Sequence, residues 1–388
     1  MNIAFLTPAF DPRQLEASVI TLTSLAEYLR DQGHTVIIIQ NRERGLTHTE
    51  MTQAGIQIIR PYSFFKFAIG SGYNPLHFFD LVIAHALGVR WAERHQNIRF
   101  DVLHSFSAAP LLMYRAVLAK MLLRRRISLI HSFKSISQYR LGAYFPRRVA
   151  RFFDAITVQT EFQRDYLERK GVAPKRIQII PSHINTKKFK PRDKKSLKQL
   201  HGFADRFVIL YYGHFLEVKG VEYLIRAIPA LMKRTKKSFR VLLAWSGLGD
   251  FRTYDRLLAE TQTHGIITVL KHADPIEEYV SMADVVVLPY PHLLATEANP
   301  SCILESMASK TLVITSDLQE LPLFLKAGHN LLKVSPRDSV ALSVTLADVI
   351  EEAVDIKPII NQAYIESAQF DLDQIGKRYI SLYEQATE

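Results

Sequence analysis

The feature that most limits what this chain can become is an alternation kept up from end to end. Short runs of Val, Ile, Leu and Phe are each followed by a stretch of helical period. "NIAFLT" (2–7) reads as a buried strand, and "ASVITLTSLAEYLRDQG" as a helix stopped by Gly33. "HTVIII" (34–39) is the next strand, and "FDVLHSF", "ISLIHSF" and "DAITVQT" come after it at intervals that leave room for crossover helices. That spacing predicts a parallel, doubly wound sheet. "IQIIPSHINTKKFKP" adds a strand and a Lys/Pro-rich linker, after which the pattern restarts with "RFVILYYG" (206–213), "FRVLLAWSG", "IITVLKH", "DVVVLPY" and "TLVITSD". The expected fold class is α/β with two Rossmann-like domains, 1–190 and 191–365, and a last amphipathic helix over 366–388. Two such domains in series put a cleft between them, and sheets of this kind bind ligands at the carboxyl ends of their strands.

Composition narrows the partners. With 388 residues, 48% of them hydrophobic, the chain can bury two cores. Its one cysteine, Cys302, excludes an internal disulfide framework and suits a reducing compartment, so a cytoplasmic protein is expected. "MNIAFLTPAF" has neither the charged nor the long apolar segment of a secretory leader, and no apolar run reaches the roughly 18 residues a bilayer span needs. The net charge of +11 is one-sided: residues 1–190 carry 27 Lys+Arg against 13 Asp+Glu, leaving 22 against 25 for the rest. Such a field implies an anionic partner for the first half: nucleic acid, anionic lipid or a phosphorylated substrate.

Within "TEANPSCILESMA" (296–308), Glu297 and Glu305 stand eight residues apart around Asn299-Pro300. Asn299 is a good N-cap and Pro300 a favoured first helical residue, so a helix is predicted over about 300–309. The free N–H groups of Ser301 and Cys302 then form an anion site suited to phosphate. Glu297 lies just before that helix end and Glu305 about a turn and a half inside it. A carboxylate accepts two hydrogen bonds from vicinal hydroxyls, so a ribose diol fits beside a diphosphate. Each glutamate taken alone is more readily a solvated charge, and it is the neighbouring segments that shift the balance. In "YYGHFLEVKGVEYLI" the strand is expected to end at Gly213, with His214 and Lys219 in the adjoining loop, where a lysine meets phosphate oxygens. Gly247 and Gly249 in "AWSGLGD" let a ligand approach backbone at a third strand end. Three such loops in one domain point to a nucleotide-diphosphate site.

Taken in order, these segments resemble the GT4-type retaining glycosyltransferases of the GT-B fold, the group 1 family. "MNIAFLTPAFDP" with "LAEYLRDQGHTVIII" is similar to that family's opening, "GHFLEVKGVEYLIRAI" to its Gly-Arg…Lys-Gly motif, and "MADVVVLPY…EANPSCILESMAS" to its Glu-x7-Glu motif. "YISLYEQ" resembles the helix that in this family returns to the N-domain. The resemblance implies that Lys219 contacts the donor diphosphate, Glu305 holds the ribose hydroxyls and Glu297 faces the transferred sugar. It places His131, in "LIHSF", near donor sugar and acceptor, although a core histidine at a strand end is the plain alternative. His104 reads as structural. The sequence departs from the family at His214, where an arginine is usual, at Ala298 and Pro300, where glycines are usual, and at "DPRQLEASV", which replaces a Gly-Gly loop.

The implied activity is retaining transfer of a sugar from a nucleotide-diphosphate sugar to a glycan, lipid-linked or otherwise anionic acceptor. A noncatalytic GT-B partner subunit, and an epimerase or phosphorylase on the same fold, are the alternatives. No metal-ligand cluster is visible in the sequence, so no metal or other cofactor is expected. Residues 62–91 are rich in Phe and Tyr, and two basic stretches, 115–126 and 139–153, mix arginine with bulky apolar residues. They suit peripheral contact with an anionic membrane as well as they suit a core with a solvated rim. Nucleic acid is not expected, because no binding module is recognisable.

Overall fold

In the computed structural model Ile3 and Phe5 pack into one apolar cluster, and Ala4 and Leu6 into another, all four fully buried. A strand apolar on both faces must be covered on both faces, and the sheet around it is built accordingly. The structure describes residues 1–7, 17–40, 47–62, 75–135, 145, 147–249, 251–271, 273–293 and 297–388. The first sheet contains β1 (Asn2–Thr7), β2 (Thr35–Gln40), β3 (Thr49–Met51), β4 (Gln57–Ile59), β5 (Val102–Phe106), β6 (Ser128–Phe133), β7 (Ala155–Val158) and β8 (Ile177–Ile179). Their order is β3-β4-β2-β1-β5-β6-β7-β8. Only β3 and β4 pair antiparallel. These two strands of three residues each are too short to carry a period, and the sequence reading missed them.

The second sheet contains β9 (Phe207–Phe215), β10 (Phe239–Gly249), β11 (Ile267–Leu270), β12 (Val285–Leu288), β13 (Leu312–Ser316) and β14 (Leu332–Val334). All its pairs are parallel, in the order β11-β10-β9-β12-β13-β14. The winding direction therefore reverses between β9 and β12, and crevices at such reversals are where open α/β sheets take ligands.

The chain divides into two compact units, Met1–Ser182 with Leu372–Glu388, and His183–Asp371. The division falls eight residues before the expected 190, and the return at Leu372 comes six after the expected 366. The helix Leu372–Thr387 is built into the first unit. Its Gly376 lies so close to Tyr28 that a Cβ there would come within 2.2 Å of the ring. Tyr383, fully buried, bonds His104 Nδ1 at 2.7 Å, and Ser128 donates to the Ala386 carbonyl at 2.6 Å.

Candidate active site

The second unit gathers its polar groups at the β9/β12 reversal. Its first strand does not stop at Gly213 as expected: β9 runs on through His214 to Phe215. The extension is possible because Phe215 pairs with Gly249 of β10, where a Cβ would sit 1.8 Å from the Phe215 carbonyl oxygen. Gly213 thus lies within β9, and Gly247 lies in β10 with nothing within 4 Å of where its Cβ would be. His214 Nδ1 bonds the Ser246 hydroxyl across the strands. Burial, then the charge of Lys219, lowers the His214 pKa.

Lys219 ends a single turn, Glu217–Lys219, and Gly220 starts the helix Val221–Arg234 in the left-handed region at φ 71°. A side chain on Gly220 is excluded, because its Cβ would stand 1.9 Å from the carbonyl oxygen of Pro289, just past β12. This contact ties the Lys219 turn to the exit of β12. The ammonium lies 5.4 Å from the centre of the Tyr290 ring. Burial lowers its pKa, while Cys302 and Glu297 pull it back up.

The helix after β12 spans Ser301–Ala308, and its capping position is Pro300, not Asn299. The proline ring holds φ at −62° with ψ at 120°, and the Pro300 carbonyl accepts the first bond of the helix, from Ile303 N–H at 3.0 Å. Asn299 therefore falls one position too early to cap, and is fully buried instead. Ser301 and Cys302 remain the first two helical residues, as the anion-site reading requires.

Glu305 has a partner that the sequence did not reveal. The Tyr212 hydroxyl, from inside β9, donates to Glu305 Oε2 at 3.0 Å and to the Cys302 carbonyl at 2.8 Å. Burial pushes the Glu305 carboxyl up to about 7, with the Tyr212 bond and Lys188 opposing and Glu297 and Glu277 adding to the rise. Burial likewise pushes the Cys302 thiol up to about 12, so it is an inert neutral group. Lys219, Glu297, Cys302 and Glu305 are thus brought within electrostatic reach of one another, with His214 beside Lys219. A cation, the N–H groups of a helix start and a hydrogen-bonded carboxylate are thus gathered at one sheet reversal.

His131 belongs to the other unit, on β6 at the carboxyl end of its sheet. It is fully buried, its ring 4.3 Å from that of Phe133, and its Nδ1 lies 3.0 Å from Ser105 Oγ. His104 is held by Tyr383 and by Ser132 at 2.7 Å each, which fits its structural assignment.

The basic stretch at 115–126 divides sharply. Arg115 is fully buried, Arg125 pairs with Glu93, and Arg124 and Arg126 are exposed. On the helix Pro75–Gln96, Phe79, Ile83 and Leu87 form an exposed apolar stripe, 63%, 45% and 49% accessible. Residues 63–74, 139–144 and 146 of the two other stretches lie outside the described residues. Among the described residues, no helix is long and apolar enough to cross a membrane, and no group of three His, Cys, Asp or Glu could hold a metal ion.

Two α/β units, each built on a doubly wound and largely parallel sheet, are the GT-B fold. The same arrangement is seen in the sucrose-phosphate synthase of Thermosynechococcus elongatus (TM-score 0.80, 19% identity, covering 99% of this chain and 98% of that one). It is also seen in Anabaena HepE in complex with UDP and glucose (TM-score 0.75, 17% identity, 99% of each chain). Residues 18–188 match the family described as Glycosyltransferase Family 4, and residues 206–352 the one described as Glycosyl transferases group 1. The chain belongs to this family and is a glycosyltransferase. Among curated relatives it is 20% identical to the phosphatidylinositol N-acetylglucosaminyltransferase GPI3 subunit of Saccharomyces cerevisiae, over 97% of this chain and 79% of that one. The partner-subunit, epimerase and phosphorylase alternatives are not favoured.

Proposed function

We propose that the second unit binds a nucleoside diphosphate sugar and that the sugar is transferred with retention to a lipid-linked or otherwise anionic glycan acceptor taken by the first unit. The observation that carries the donor assignment is the Tyr212-bonded Glu305 beside Lys219 and the start of the helix Ser301–Ala308. Glu305 accepts the ribose hydroxyls, Lys219 and the N–H groups of Ser301 and Cys302 take the diphosphate, and Glu297 faces the sugar. Charge grows on the diphosphate as it leaves, so Lys219 stabilises the transition state more than the ground state. The acceptor attacks from the face the diphosphate leaves, which needs no dedicated nucleophile, and no metal is required. HepE, with UDP and glucose bound, supports a nucleotide donor, and the GPI3 subunit's name supports a lipid-linked acceptor. The exposed Phe79, Ile83 and Leu87 and the basic first half support peripheral contact with an anionic membrane.

The test is a thermal-shift screen of nucleoside diphosphate sugars, because a ligand bound only by the folded state raises the midpoint. One donor is expected to stabilise the protein, and transfer from it to give the anomer of the donor. Stabilisation by none of them removes the donor assignment, and an inverted product removes retention.

A further inference from the structure

Arg115 is a fully buried arginine that the catalytic assignment does not use. It reaches from the helix Tyr114–Leu123 to the carboxyl end of the first sheet at its own reversal, between β1 and β5. Its Nη2 donates to the carbonyl of Leu6 on β1 at 2.6 Å and to that of Phe106 on β5 at 2.7 Å. Its Nε donates to Ser105 Oγ at 3.1 Å, and its Nη1 lies 3.4 Å from His85 Nδ1. Ser105 Oγ is also the atom 3.0 Å from His131 Nδ1.

The placement of protons among these groups is constrained. A guanidinium only donates, so Arg115 fills a lone pair of Ser105 and leaves the serine its own proton to place. Ser105 is fully buried, and among the described residues the acceptor in reach of that proton is His131 Nδ1. Were Nδ1 protonated instead, the hydroxyl proton would be stranded away from water. The bond from Arg115 also polarises the hydroxyl and makes it a stronger donor toward the ring. The His131 proton then sits on Nε2, which is buried and makes no well-formed hydrogen bond among the described residues, the backbone of Ser107 being the polar group that acts on the ring.

We infer that Arg115 is a positioning residue: through Ser105 it holds His131 as the neutral Nε2–H tautomer, so that His131 offers a hydrogen-bond donor to substrate and does not act as a base. This rests on the reading that places His131 at the substrate. The charged and titratable groups around the ring agree with a neutral imidazole. Arg115 on its helix, with His85 behind it, and His104 on β5 are neutral or cationic, as is Lys134 at the end of β6, and β7 carries no titratable side chain. Burial and the Arg115 charge both lower the His131 pKa, with the backbone of Ser107 opposing.

The tautomer can be read directly in the ligand-free full chain by nitrogen NMR of 15N-histidine-labelled protein, with the His131 signals identified from His131→Asn. Wild type is expected to show a protonated Nε2 and an unprotonated Nδ1 at His131 from pH 5.5 to 8. Ser105→Ala removes one hydroxyl and leaves the other Arg115 bonds in place, so it tests the relay even if Arg115→Met fails to fold. In Ser105→Ala the two tautomers are expected to mix, and kcat/KM to fall roughly 10- to 100-fold. Arg115→Met is expected to add an acid limb to the pH profile, as His131 gains a proton that wild type refuses. A His131 protonated at Nδ1, or a tautomer unchanged in Ser105→Ala, overturns the inference even where His131→Asn abolishes transfer. Full activity in His131→Asn instead overturns the substrate role of His131, whatever its tautomer.

Discussion

Replacing Glu305 by glutamine is expected to stabilise the ligand-free protein and weaken donor binding in the same molecule. The carboxyl ordinarily titrates at 4.5 and here at about 7, chiefly because burial disfavours its charge. That interval corresponds to about 3 kcal/mol at about 1.36 kcal/mol per tenfold. Part of the residue still touches solvent, which screens the charge and brings the working figure to about 2 kcal/mol. The sign is set by linkage. Below pH 4.5 the carboxyl is protonated in folded and unfolded chains alike, and its charge costs nothing. Between 4.5 and about 7 the unfolded chain ionises first, so wild type loses stability, and above about 7 the loss is complete. Glutamine keeps an acceptor for the Tyr212 hydroxyl and carries no charge. Urea unfolding of wild type and Glu305→Gln at pH 4.5, 6 and 8 should therefore show equal midpoints at the lowest pH and a widening advantage for the variant. Donor affinity measured by calorimetry at pH 8 should fall by roughly 1.5–3 kcal/mol, the worth of a hydrogen bond to a charged group. A variant no more stable than wild type at pH 8, or a difference independent of pH, refutes the buried-charge reasoning.

Lys219→Ala should lower kcat more than it raises the donor KM, since the charge it neutralises grows as the diphosphate departs; an effect confined to KM reduces Lys219 to a binding group. Gly220→Ala should cost about 1–3 kcal/mol from the left-handed backbone alone, with the clash against Pro289 in addition, and unchanged urea midpoints would contradict the tight turn. His214→Arg should flatten the pH dependence of donor affinity. A histidine that gains a proton on binding a diphosphate has the higher pKa in the complex, so its contribution is full below the free-protein value and lost above the bound one. Identical profiles for the two proteins would exclude His214 from the phosphates. Binding to anionic vesicles should weaken with salt, and Arg124→Gln with Arg126→Gln should each reduce it by about 1 kcal/mol. Equal sedimentation with neutral vesicles removes the membrane contact.

Most strands of the two sheets were legible because a parallel strand covered on both faces is written as an unbroken apolar run, as in "NIAFLT" and "VVVL", whereas the three-residue β3, β4 and β14 were not. Gly220 and Lys219 were legible as a strand-to-helix entrance. What escaped was side-chain pairing between elements far apart in the chain. Tyr212 looks like one more β-former in "VILYYG", and only the fold brings its hydroxyl to a glutamate 93 residues later. Arg115 sits in a stretch where Arg124 and Arg126 face solvent and Arg125 pairs with Glu93, and nothing local marks it as the one that is fully buried. Its place depends on carbonyls at the ends of β1 and β5, the first 109 residues earlier in the chain. The capping error at Asn299 is one residue wide: Pro300 has a helical φ of −62° but an extended ψ of 120°, which makes it the residue before the helix and not the first one in it.

The return of the chain at Leu372 also orders events during synthesis. The second unit, His183–Asp371, is one uninterrupted segment and can complete its core as it emerges from the ribosome. The first unit, although begun earlier, must wait with the Tyr28 and His104 positions unfilled until Gly376 and Tyr383 arrive, after the whole of the second unit. The N-terminal half of this enzyme is thus the last to be finished. A stop placed at Leu372 itself would leave both the Tyr28 and the His104 positions open with the second unit's segment, His183–Asp371, entire.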